Sequence, residues 1–166
     1  GSPMETLETR SSMSRRFAFV ARLRTWAGVL DPIHPRRIQF TGRDICQDRA
    51  PFWRENHADR ARLFSTVNIS PDTVEEYVRA MGGSNPSLMD GYPSAMLSLA
   101  RLCKAQGIPP PQVPVIISTA ETLTREAKEE LETSFKAQVF NQYATTEPSC
   151  FWSTCALGNR HLHEEC

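Results

Sequence analysis

Three short polar stretches carry residue types able to hold a phosphorylated aromatic ligand. "YATTE" (residues 143–147) places an aromatic ring, two Thr hydroxyls and a carboxylate at the exit of the strand-like run "AQVFNQY". A Tyr ring offers a flat face to a base. Thr hydroxyls and backbone N–H groups can donate to phosphate oxygens, and a Glu can hold Mg2+, which prefers hard oxygen ligands. "STAET" (118–122) and "DGYPS" (90–94) also follow short apolar runs. The plain alternative is that Thr145 and Thr146 open an ordinary turn and Glu147 is solvated.

Such residues act together only if regular elements bring them to one place. Met13, Phe17, Val20, Leu23, Ala27 and Leu30 recur at helical spacing, which predicts an amphipathic helix over residues 11–30 with Arg between the apolar positions. "RRIQFTG" (36–42) reads as a short strand, and residues 43–61, with Pro51, Phe52 and Trp53, as an irregular loop. "ARLFSTVNI" contains another strand. "SPDTVEEYVRAM" predicts a helix with Ser70 as N-cap, Pro71 at the first helical position, and Val74, Tyr77, Val78 and Met81 buried. "SLMDGY" reads as a strand. A helix over 94–106 then buries Met96, Leu99, Ala100 and Cys103 and closes at Gly107. The β-branched run "VPVIIST" reads as a central strand. Thr124 caps a helix ending near Lys136, with Ala127, Leu131 and Phe135 inward. "FWSTCAL" and "NRHLHEE" pair about a turn at Gly158-Asn159.

Strands alternating with helices predict an α/β fold: a mostly parallel sheet flanked by helices, with a short β-hairpin at the C-terminal end. Ligands of such sheets sit beyond the carboxyl ends of the strands. The loops at 90–94, 118–122 and 143–147 all leave those ends, so one crevice could receive all three.

The 166 residues suit one domain. Net charge is zero but uneven: residues 1–60 hold 11 basic and 7 acidic side chains, and residues 121–166 hold 4 and 8. That imbalance is too mild for the basic stripe of a duplex nucleic-acid binder. No run approaches the ~18 apolar residues of a membrane span, and no secretory leader is visible. The five cysteines, Cys46, Cys103, Cys150, Cys155 and Cys166, are odd in number and irregular in spacing. They do not read as a disulfide framework, and a cytoplasmic location fits them better. Cys155 and His161, spaced C-x5-H with Cys150, His163 and Cys166 near, invite a structural-zinc reading. Its plain alternative is a buried Cys and a surface His on a hairpin. Trp26, Trp53 and Trp152 read as packing residues, and the basic N-terminal helix as a solvated face.

Several segments in order resemble one family. "VFNQYATTEPS" resembles the Tyr-Gly-x-Thr-Glu motif of adenylate-forming enzymes, and "ISTAETLT" the loop before it. "DGYPSAMLSLARLCKAQGI" is similar to the strand–Gly-Tyr-Pro–helix unit of the phenylacetate–CoA ligase-like (CapK/PaaK-type) branch. "RRFAFVARLRTWAGV", "FTGRDI", "PFWREN" and "LFSTVNIS" resemble further segments of that branch, in the same order. "GSPMETLETR" looks like the tail of the family's phosphate loop, with Gly1 and Ser2 in the loop and Pro3 as its Pro; a cleavage scar before Met4 is the other reading of these residues.

The resemblance implies that residues 1–166 are part of a large AMP-binding N-terminal domain, with the Lys-bearing C-terminal domain outside them. It implies ATP, Mg2+ and coenzyme A as cofactors and a small carboxylic acid, aromatic in this branch, as substrate. The product would be an acyl-adenylate, then a CoA thioester. Nucleic acid and membrane are not implied partners; a homodimer is compatible with it. By matching positions, Thr119, Ala120 and Glu121 would line the adenine side, and Asn141, Gln142 and Tyr143 the base pocket, with Tyr143 stacking. Ala144 and Thr145 would follow in the nucleotide loop. Thr146 would contact the α-phosphate and Glu147 would hold Mg2+, both as catalytic residues. Gly91, Tyr92 and Pro93 would border the acyl pocket. Ala144 departs from the family's Gly, which makes a positive φ there costlier, and Asn68 stands where relatives commonly carry His. The alternatives are a catalytically dead nucleotide-binding or interaction domain of this fold, supported by Ala144, and a coenzyme F390 synthetase-like enzyme. A dinucleotide oxidoreductase is disfavoured, because no G-x-G-x-x-G follows a strand.

Overall fold

The structure, a computed structural model, describes residues 7–42, 45, 48–145 and 150–164. Its elements run α1 (Arg10–Trp26), β1 (Arg37–Phe40), β2 (Trp53–Asn56), β3 (Ala61–Phe64), α2 (Val74–Gly83), β4 (Leu88–Gly91), α3 (Pro93–Gln106), β5 (Val115–Ser118), α4 (Arg125–Phe135), β6 (Gln138–Ala144), β7 (Phe151–Thr154) and β8 (Arg160–Leu162). The strands form a single sheet in the order β2-β3-β1-β4-β5-β6-β7-β8. Its centre, β3-β1-β4-β5-β6, is parallel, while β2, β7 and β8 are antiparallel. The expected α/β class and the C-terminal hairpin are both present.

The strand residues alternate between two apolar layers, which is why the central strands read as continuous hydrophobic runs. Met89, Ile116 and Val139 face one layer with Tyr77, Met96, Leu99, Leu131 and Phe135 from α2, α3 and α4. Leu88, Val115, Ile117 and Phe140 face the other, under Leu23 and Ala27 of α1. Each such side chain, fully buried, contributes roughly 1.5–3 kcal/mol of transfer free energy.

Three local expectations are corrected. First, α1 ends at Trp26, and its buried apolar face is Phe19 and Leu23, continued by Ala27 at the C-cap. Met13 and Phe17 point outward, and Leu30 lies exposed beyond the helix. The helix carries two apolar stripes, and aromatic contacts select one: the Phe19 ring lies 5.7 Å from Phe151 and 5.1 Å from His163. Second, residues 53–56, read as loop, form an edge strand. Trp53 is the register partner of Phe64, and their rings meet at 5.7 Å. Third, α2 begins at Val74, with Thr73 at its N-cap in place of Ser70. The Thr73 hydroxyl donates to the Asn68 carbonyl at 2.6 Å, and the Thr73 and Val74 amides donate to the Ser70 carbonyl. Residues 71–73 are thereby held in a turn. At α4 the expected cap is present: Thr124 Oγ1 accepts from the Ala127 amide at 3.2 Å.

Candidate functional site

Parallel pairing puts β4, β5 and β6 side by side, so their carboxyl ends, Gly91, Ser118 and Ala144, open at one edge of the sheet. β4 is fixed there by close backbone approach. The Tyr92 amide donates to the Phe40 carbonyl at 2.8 Å. Gly91 adopts φ 141°, and a Cβ on it would overlap the Phe40 carbonyl, so only glycine fits. The Tyr92 hydroxyl lies over Gly42 at the end of β1, in the space a Cβ there would need.

Hydrogen bonds join the three loops. The Thr119 amide donates to the Gly91 carbonyl at 3.0 Å, tying the β5 exit to the β4 exit. Gln142 Nε2 donates to Thr119 Oγ1 at 3.2 Å, tying β6 to β5. Glu121 accepts twice from Ser94, from the amide at 3.0 Å and the hydroxyl at 2.8 Å. Ala120, between Thr119 and Glu121, sits at φ 67°, a left-handed conformation that a non-glycine residue adopts at a cost. Gly91, Tyr92, Pro93, Thr119, Ala120, Glu121 and Gln142 are therefore neighbours, as the loop argument requires.

β6 changes partner along its length. Residues 138–141 pair with β5 and residues 142–144 with β7. At the switch the Asn141 amide donates to Thr154 Oγ1 at 2.9 Å. Asn141 lines a cavity of about 190 Å3 with Leu123, Thr154 and Cys155, a lining that includes neither Thr119 nor Gln142. Tyr143 is half exposed and stacks on Trp152, its register partner, with ring centroids 6.0 Å apart and planes 11° apart. The Arg160 guanidinium covers the same Trp152 ring at 5.3 Å. Trp152, read as a packing residue, thus orients the ring expected to stack on a base. Ala144 pairs with Phe151 in the β6–β7 ladder and is not among the positive-φ residues. The expected cost of replacing Gly there is not incurred, because the position is ordinary strand backbone.

Thr145 lines a narrow cavity of about 40 Å3 with Ala144, Cys150 and, from α1, Ser12, Arg15 and Arg16. Their place on the basic N-terminal helix predicts a solvated face. The fold instead places Arg15 and Arg16 on the wall of the cavity at the β6 exit, with the Arg16 guanidinium paired to Glu8 at 3.0 Å. A basic pair on the first turns of a helix was the available signal, but helical periodicity alone cannot say which distant loop it meets. Gly1, Ser2, Thr146 and Glu147 lie outside the described residues.

A charged cluster underlies the crevice. Asp90, one residue before Gly91, accepts from Arg37 Nη1 at 3.3 Å, and Arg37 also approaches Asp59 at 3.7 Å. Asp90 Oδ1 and Arg24 Nε are both shut from solvent without a hydrogen-bond partner. Burial raises the Asp90 carboxyl above the usual carboxylate range, against the opposing pull of Arg37 and Arg24. Burial, followed by repulsion from Arg37, lowers Arg24.

The zinc reading finds no site among the described residues, where no group of three or more His, Cys, Asp or Glu could hold a metal. Cys155 lines the Asn141 cavity, whereas the His161 ring packs on Trp26 at 5.1 Å. His163 is buried: Nδ1 lies 3.1 Å from Arg22 Nη1 and Nε2 lies 3.0 Å from Ser153 Oγ. Because a guanidinium can only donate, Nδ1 accepts and the ring proton belongs on Nε2. Cys166 is outside the described residues, as is Cys46. No described helix is long and apolar enough to cross a membrane.

No family model matches the chain. Protein CapK of Staphylococcus aureus is 27% identical over 155 residues, which are 91% of this chain and 34% of CapK. A crystal structure of 2-hydroxyisobutyryl-CoA ligase with 2-HIB-AMP and CoA in the thioesterification state superposes with a TM-score of 0.60 at 14% identity, over 98% of this chain and 35% of that one. The chain has the adenylate-forming ligase fold. An open conformation of the same ligase, also with 2-HIB-AMP and CoA, gives a TM-score of 0.58 at 13% identity, over 92% of this chain and 36% of that one. The chain thus spans about a third of the length of these relatives. The order of motifs read from the sequence and the superposed sheet agree on this adenylate-forming fold.

Proposed function

We propose that this chain is the nucleotide-side portion of an ATP-dependent carboxylate–CoA ligase that first forms an acyl-adenylate and then a CoA thioester. The observation that carries the reading is the hydrogen-bonded meeting of the β4, β5 and β6 exits through Gly91–Thr119, Ser94–Glu121 and Thr119–Gln142. It is supported by 2-hydroxyisobutyryl-CoA ligase, which shares the fold and was solved with an acyl-AMP and CoA.

In this reading a carboxylic acid, aromatic by the branch resemblance, lies against Tyr92 and Gly91 with Pro93 behind. The base lies by the 119–121 backbone and stacks on the exposed face of Tyr143, whose other face Trp152 covers. Thr145, Thr146 and the Arg15–Arg16 edge of α1 receive phosphate oxygens. A carboxylate is a poor electrophile, and joining it to AMP supplies a leaving group; the chain's task is to orient the two and offset phosphate charge. Mg2+ would neutralise phosphate charge, and Glu147, a hard carboxylate ligand, is the residue we assign to it. A cytoplasmic setting accords with the free thiols of Cys103, Cys150 and Cys155.

Calorimetry with AMP and ATP on the purified chain tests the nucleotide site, and ATP–pyrophosphate exchange over a panel of carboxylic acids tests the chemistry on a protein of the relatives' full length. The expected result is AMP binding by the 166 residues, without thioester turnover, and exchange by the longer protein. Absence of both nucleotide binding and exchange overturns the ligase reading. Thioester synthesis by the 166 residues alone overturns the assignment of a required Lys-bearing domain.

A further inference from the structure

We propose that Glu121 is a positioning residue, acting through Ser94 to set the distance between the acyl-side and adenine-side loops; the proposal rests on the ligase reading. Helix α3 starts with Tyr92 at its N-cap and Pro93 in the first turn, and Tyr92 makes no side-chain cap bond. The Ser94 amide, an orphan donor of that first turn, is satisfied from 27 residues away by Glu121 Oε2 at 3.0 Å. The Ser94 hydroxyl donates to the other oxygen, Oε1, at 2.8 Å. One carboxylate thus caps the helix that follows Tyr92 from the turn that follows Thr119. The left-handed Ala120, φ 67°, shapes that turn, and Thr119 N–H to Gly91 O at 3.0 Å closes the ring of contacts on its other side.

The arrangement gives Glu121 a role in addition to the adenine-side position expected from sequence. Each carboxylate oxygen of Glu121 accepts one bond from Ser94, so its side chain is held toward the start of α3. A negative charge at a helix N-terminus is electrostatically favourable, so the clamp is self-consistent without any ligand. An acyl-adenylate carries its acyl and AMP parts on one molecule, joined by a mixed anhydride, so it spans both loops and its affinity depends on their spacing. AMP touches one loop and depends on it less.

The test uses the 166-residue chain with two probes, AMP and a non-hydrolysable phenylacetyl sulfamoyl-adenosine that spans both loops. Ser94→Ala and Glu121→Gln are each expected to weaken the spanning probe by about tenfold, the loss of one charge-assisted hydrogen bond, with a smaller loss for AMP. The double variant is expected to lose less than the sum of the two single ones, because the hydroxyl–carboxylate bond is common to both, and Ser94→Thr, which keeps both donors, is expected to retain the affinity of the unaltered chain. Equal losses for AMP and the spanning probe with Glu121→Gln, or additive losses in the double variant, overturn the proposal in favour of direct contact with the base. Amide hydrogen exchange supplies a readout without ligand: Ser94 N–H should be protected and should lose protection in Glu121→Ala, which removes the acceptor. An unprotected Ser94 amide in the unaltered chain overturns the clamp whatever the ligase reading. A protected amide with no binding of either probe, and no pyrophosphate exchange by a protein of the relatives' full length, overturns the ligase reading, and the positioning role with it.

Discussion

At the scale of single residues, the crevice is made by a few positions with unusual backbone requirements. Gly91 holds φ 141° against the Phe40 carbonyl, where no side chain fits. Ala120 holds φ 67° where a side chain fits but is strained. The left-handed conformation costs an L-residue roughly 1–2 kcal/mol, while glycine costs roughly 0.5–1 kcal/mol more chain entropy than alanine. The difference favours Ala120→Gly, which is expected to stabilise the chain by up to about 1 kcal/mol, read as a rise in urea midpoint at unchanged slope. Ala144, by contrast, sits in the β6–β7 ladder. Its replacement of the family's glycine therefore carries no backbone penalty and gives no support to a non-catalytic reading.

At the scale of elements, the ionic cluster joins α1, β1 and β4 beneath the crevice through Arg24, Arg37 and Asp90. The Asp90 side chain keeps 15% exposure, yet its Oδ1 is sealed and unpartnered. Its carboxyl is raised in the folded state, chiefly by burial. The folded chain therefore holds this proton more tightly than the unfolded chain does. The contribution to stability is fully present below the ordinary Asp pKa of about 3.9 and is lost as pH rises through the raised value. Asp90→Asn removes that dependence. Urea unfolding of both forms across a pH series is expected to show the variant gaining on the unaltered chain as pH rises from about 4. A constant difference across the series would mean that Arg37 and Arg24 offset the burial of the carboxylate in full.

At the scale of the whole molecule, coverage of the sheet is unequal. Three helices cover one face and α1 alone covers part of the other, leaving Met13, Phe17 and Ile33 exposed. The strands grade from the fully buried β5 to β8, which is exposed throughout. Hydrogen exchange is expected to follow that gradient, with the amides of residues 115–118 slowest among the strands and the hydrogen-bonded amides of 160–162 fastest. Protection of β8 equal to β5 would show that the hairpin opens only with global unfolding, through the His163 contacts to Arg22 and Ser153.

The α/β class, the order of elements and the three loops were legible in the sequence, because local patterns encode them. β-branched runs such as "VIIS" mark buried strands, Thr124 marks a helix start, and turn residues mark the strand ends. Proximity of the loops could be inferred from the parallel topology alone. Tertiary structure decided which α1 stripe is buried, that Trp53 begins an edge strand, and that Ser94 is capped from Glu121. It also placed Arg15, Arg16 and Thr145 around one cavity. Each of these depends on a partner outside the element itself. Sequence periodicity reports only which side of an element is apolar or polar, and the packed sheet chooses the partner that meets it.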